Sequence, residues 1–183
     1  MEVVDSSEHD PELAQLVGQV VLAATTLDYF TCHLIAVTLG DTDEAWTDYW
    51  AESGEKLIKG LELAGEQDAR VKALVSPMKS VVQRRNHVVH GLWFLDPERG
   101  PGAYEVARPL RKEPEGSDDR GISLDDLRLL HKHIRTLDSY VFVVWQNGRP
   151  GHQYGTGEPL NPMPLVLPSL DGIAGYQYPD VAQ

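Results

Sequence analysis

One apolar stripe at helical spacing constrains this chain more than any other feature. Leu13, Val17, Val20, Ala24, Leu27, Thr31, Leu34, Ile35 and Thr38 recur at three- and four-residue steps. Asp10 is placed to cap the start, Pro11 suits the first helical position and Gly40 supplies the stop. A helix over residues 11–39 is a rod of roughly 40 Å at ~1.5 Å per residue, so the remainder of a 183-residue chain has one long wall to pack against. Asp28 falls within the stripe. An inward carboxylate needs a partner, because burying it unpaired is costly.

Trp46, Tyr49, Trp50, Leu57, Ile58 and Leu61, read as its buried members, predict a second helix over 45–64, weakened by Gly54 and Gly60. Val71, Leu74 and Val75 begin a third, in which Ser76-Pro77 either makes a kink or caps a fresh helix; residues 78–90 read as helix in both cases, and Gly91 ends them. Leu92-Trp93-Phe94-Leu95 and Ala103-Tyr104-Glu105-Val106-Ala107 flank a Pro/Gly-rich turn and read as a short β-hairpin. Ser123 followed by Asp126 resembles a capping box and opens a last helix reaching Gln146. Its stripe of Leu127, Leu130, Ile134, Leu137, Val141 and Val144 suits packing along the first helix or a contact between subunits. The expected fold is therefore mainly all-α, a bundle of four to five helices with a hairpin after the third stretch, over residues 10–147. Residues 1–9 read as a flexible arm. Residues 148–183 read as a Pro/Gly-rich tail, in which Leu165-Val166-Leu167 can dock on a groove.

A formal charge of −12 should repel phosphate backbones and argues against a general nucleic-acid binder. Between Asp68 and Asp96, however, no acid occurs while Arg70, Lys72, Lys79, Arg84 and Arg85 accumulate. This basic island either pairs with acidic neighbouring helices or binds an anion, with Lys79 and Arg84 as candidate substrate contacts. The lone Cys32 cannot form an intramolecular disulfide and suits buried filler, so redox chemistry is not expected. No apolar run approaches the roughly 20 residues of a membrane span, and the acidic N-terminus lacks signal-peptide character. A cytoplasmic protein is expected.

The segment Arg85-Asn86-His87-Val88-Val89-His90-Gly91 carries the chemistry. Arg85 lies within the stripe of Leu74, Met78, Val81, Val82, Val89 and Leu92, where an arginine must meet a carboxylate or an anion. Asn86 and His90 are four apart, so the amide can hydrogen-bond the imidazole and select which nitrogen is presented. His87 and His90 form an H-x-x-H pair, but no third ligand accompanies them, and neither a metal nor a cofactor is expected. His131 and His133, two apart, read as solvated surface. The sequence contains no G-x-S-x-G, Walker or dinucleotide-binding glycine pattern.

The pattern Arg85-Asn86-x-x-x-His90, near a helix end and before an aromatic hairpin, resembles the HEPN superfamily, whose signature is Arg and then His after four to six intervening residues. The resemblance extends to the order of parts, from the long first helix with its internal acid to a closing helix introduced by Ser-Leu-Asp-Asp-Leu, and spans roughly residues 11–147. It implies a homodimer with two motifs across a cleft. It also implies metal-independent RNA cleavage by 2′-hydroxyl attack, leaving a 2′,3′-cyclic phosphate. Arg85 and His90 would be catalytic with Asn86 orienting, and Asp28 and His87 supporting. The histidine would exchange the proton and the arginine would hold the scissile phosphate. Toxin or abortive-infection roles, and an antitoxin or regulatory partner, follow from the resemblance alone. Two rivals stand beside it. One is an inactive HEPN-like binding or regulatory module; in the other, Asp28 neutralises Arg85 inside the bundle and His90 merely satisfies helix-end carbonyls.

Overall fold

A computed structural model describes residues 10–40, 42–50, 52–96, 98, 100–110 and 113–148. The expected arm over 1–9 lies outside them, as does the tail expected over 148–183 except for Gly148, which ends the last described helix. Five helices, α1 (Pro11–Thr38), α2 (Asp43–Tyr49), α3 (Glu55–Gly65), α4 (Ala69–His90) and α5 (Leu124–Gly148), are joined by strands β1 (Leu92–Leu95), β2 (Ala103–Leu110) and β3 (Glu113–Ser123). The protein is thus mostly helical, with a small antiparallel sheet.

The Asp10 carboxylate accepts from the backbone N–H groups of Glu12 and Leu13, at 2.9 and 3.4 Å, and so starts α1. Leu16, Val20, Leu27, Leu34 and Ile35 are buried along it. α5 opens with a reciprocal cap: Ser123 Oγ accepts from the Asp126 N–H at 3.1 Å, and the Asp126 carboxylate accepts from the Ser123 N–H at 2.8 Å. The buried stripe of α5, Leu127, Leu130, Ile134, Leu137 and Val141, lies mainly on α1, the most extensive helix contact among the described residues. Arg128 near the start of α5 pairs with Glu12 near the start of α1, whereas Phe142 and Trp145 near its end meet Phe30 at 5.2 and 5.5 Å. Helices α1 and α5 therefore run parallel. By length and composition α1 is apolar enough to cross a membrane, and half of its most apolar stretch is buried within this bundle.

The single helix expected over 45–64 is two. Gly54 adopts φ +61° and ψ −125°, a region closed to L side chains, and sits at the N-cap of α3, so the chain turns where a propensity argument sees only a weak point. Conversely, α4 runs unbroken through Pro77, because Val71, Leu74, Met78, Val81, Val82 and Val88 hold both halves in one core. The expected hairpin is present, Leu92 opposite Ala107 and Leu95 opposite Tyr104, but β3 extends it to the sheet order β1-β2-β3. The Gly- and acid-rich sequence of β3 has little strand propensity of its own, and its pairing with β2 provides the order. Val106 and Tyr104 anchor the sheet to the helices, and the Trp93 indole N–H donates to the Val88 carbonyl at 3.1 Å.

Candidate functional site

α4 presents the motif where it meets both α1 and the sheet. Arg85 Nη2 donates to Asp28 Oδ2 at 3.2 Å, with the two side chains 14% and 17% exposed. Burial pushes the Asp28 carboxyl up to about 6, and Arg85 draws it back only in part. The two residues that the sequence places on separate apolar stripes are thus brought together as one half-buried pair.

His90 is the last residue of α4 and is exposed. At about 100° per residue, five residues turn the helix by about 140° relative to Arg85, so guanidinium and imidazole leave the helix on different faces. Asn86 is half-buried between them. Among the described residues no hydrogen bond joins Asn86 to His90, so the expected steering of the imidazole is not seen in the single chain.

His87 is buried, its Nε2 3.1 Å from the Val106 carbonyl oxygen. A carbonyl only accepts, so the ring carries a proton on Nε2 and donates. The neighbouring Gly91 closes the same junction: a Cβ there would stand 2.2 Å from Val106 Cγ1 and 2.6 Å from the His87 carbonyl oxygen. His87 and Gly91 fix the angle at which α4 delivers His90 to solvent. The H-x-x-H pair is split, one ring structural and the other open. Among the described residues no group of three or more His, Cys, Asp or Glu side chains could hold a metal ion.

The basic island resolves largely into ion pairs. Arg70 chelates the Asp68 carboxylate, which caps α4, and Lys79 pairs with Glu62 at 2.6 Å on the open surface. Arg84 is only 9% exposed, inside the bundle rather than on the surface expected of a substrate contact. Its charge, after burial itself, helps hold His133 below the ordinary histidine range. His133 is 1% exposed and so corrects the surface reading of that residue. Two-residue spacing does place His131 and His133 on different faces, but the face of His133 turns to the interior.

A second concentration of side chains, aromatic ones, is not legible in helical spacing, and Trp50, expected inside, is exposed. His33 lies within a nest of rings from three helices and the turn after α2, with Tyr29 at 4.4 Å, Trp46 at 4.7 Å, Trp145 at 5.2 Å and Trp50 at 5.9 Å. The local signal was present in two i, i+4 aromatic pairs, Tyr29 with His33 and Trp46 with Trp50. What the spacing could not supply was the convergence of those pairs with α5.

Compared with family models, with curated proteins and with solved structures, the chain matches none.

Proposed function

We propose that this protein is a metal-independent endoribonuclease of HEPN type, acting on RNA in the cytoplasm as a homodimer. One observation carries the reading: α4 ends on an exposed imidazole, His90, at a junction set by His87 and Gly91, five residues from a guanidinium that among the described residues meets a single carboxylate oxygen. His90 serves as the proton-exchanging group, removing the 2′-hydroxyl proton or protonating the leaving 5′-oxygen. Arg85, with donors beyond the one directed at Asp28, stabilises charge on the scissile phosphate, and Asn86 orients the substrate or the ring. Because the two groups leave α4 on different faces, a complete site draws His90 from one protomer and its counterpart from the other. Val21 and Leu22, 38% and 71% exposed on α1 about two turns before Asp28, support such a symmetric contact. A toxin or abortive-infection role, held in check by an antitoxin or regulatory protein, is the biological setting of this reading.

The pairing of Arg85 with Asp28 favours a second reading, in which the arginine is a strut and the domain binds without turnover. His90→Ala separates the two. The exposed ring can be removed without disturbing the core, and RNA cleavage resistant to EDTA, with cyclic-phosphate ends, should fall by about 10²-fold or more. Equal residual cleavage by wild type and variant, alongside RNA retention by both, would establish the binding module instead.

A further inference from the structure

The aromatic nest around His33 opens onto the surface. Trp50 is 53% exposed, Tyr29 47% and Phe142 39%, and they are linked through ring contacts: Tyr29 to Trp50 at 6.0 Å, Tyr29 to Phe30 at 5.3 Å, Phe30 to Phe142 at 5.2 Å. Exposed rings clustered in this way mark a binding surface. Two chemistries stack on such rings, nucleic-acid bases and proline-rich chain. The setting decides between them. α2, which contributes Trp46, also carries Asp43, Glu44 and Asp48, with Glu52 just beyond, and this acidic rim repels a phosphate backbone.

We propose that the patch is the docking site of the chain's own segment 159–170, Pro-Leu-Asn-Pro-Met-Pro-Leu-Val-Leu-Pro-Ser-Leu. Three facts fit this occupant. The segment carries no charge, so the acidic rim does not oppose it. It contains Pro159, Pro162, Pro164 and Pro168, the first two in P-x-x-P spacing, and prolines pre-set the extended conformation that aromatic grooves accept at low entropic cost. Finally, the chain leaves the bundle beside the patch: Phe142 and Trp145 belong to the last two turns of α5, which ends at Gly148. Pro159 follows within a reach on the order of 35 Å. A tether of that length gives an effective concentration in the millimolar range, enough to hold a weak contact closed.

Amide hydrogen exchange of the full-length chain tests the proposal. The non-proline amides of 160–170 should exchange at least about tenfold more slowly than in an unstructured peptide of the same sequence. Tyr29→Ser with Trp50→Ser should abolish that slowing while exchange in α4 stays unchanged, which shows that the bundle is intact. Leu165→Asp with Leu167→Asp approaches the contact from the other side: it should remove the same protection and increase quenching of the indoles by acrylamide. Peptide-like exchange in the wild type, or protection that survives the ring substitutions, overturns the proposal. Protection that fades on dilution overturns it too, because it assigns the patch to a second copy.

Discussion

Two kinds of joint hold the bundle: α4 meets its neighbours through directed polar contacts, Arg85 to Asp28 and His87 to the Val106 carbonyl, whereas α1, α2 and α5 meet through rings packed around His33. The polar junction places each group at a defined angle but leaves charges desolvated, so loss of one partner is severe. The aromatic junction shares its contacts among many rings and tolerates the loss of an exposed one. A site that must aim an imidazole is better built on the first kind of joint, and a surface that accommodates a pliable segment on the second.

Four measurements can break or sharpen that contrast. Arg85→Ala should be the most damaging, about 3 kcal/mol by denaturant unfolding near neutral pH, since it strands Asp28. That loss should shrink below pH 6, where Asp28 can take up a proton. Next comes the pH dependence itself. With its carboxyl at about 6, folded Asp28 binds a proton that the unfolded chain has already released between pH 4 and 6. Stability from this group therefore falls as pH rises through that window, by on the order of 2–3 kcal/mol. Asp28→Asn should flatten the slope, and Arg85→Met should raise the carboxyl titration midpoint seen by NMR. Gly91→Ala forces a methyl into Val106 and should cost about 1–3 kcal/mol, with loss of the His87 ring N–H protection as its local signature. The smallest effect belongs to the aromatic joint: Trp50→Ser should change stability by less than about 1 kcal/mol. A Trp50→Ser loss matching that of Arg85→Ala would erase the distinction between the two joints.

Much of the framework was legible in the residues. The Asp10 cap, the stripe of α1, the Ser123–Asp126 box and the hairpin after Gly91 all depend on local chemistry, and local spacing reveals them. Asp28 and Arg85 could be matched because each was an ion on an apolar stripe, and two such anomalies of opposite sign have few other solutions. The missed features depend on tertiary contact. Gly54 breaks a helix through a backbone conformation that composition does not reveal, β3 borrows its order from β2, and Arg84 and His133 are inside because α4 and α5 turn those faces toward each other. Helical periodicity ranks the faces of one helix but does not say how many neighbours cover it. For the same reason, the nest around His33, which arises where three helices converge, is not legible in spacing.

The parallel course of α1 and α5 bears on how the chain is made. Helix α1 is made well before its principal partner α5, so the side of α1 that packs on α5 stays uncovered until residues 124–148 have been synthesised. Contacts so distant in sequence are slow to close, and a nascent chain halted after the hairpin would present that greasy rod to whatever lies nearby. For such a chain, the pace of translation and the availability of chaperones matter as much as the strength of the finished core.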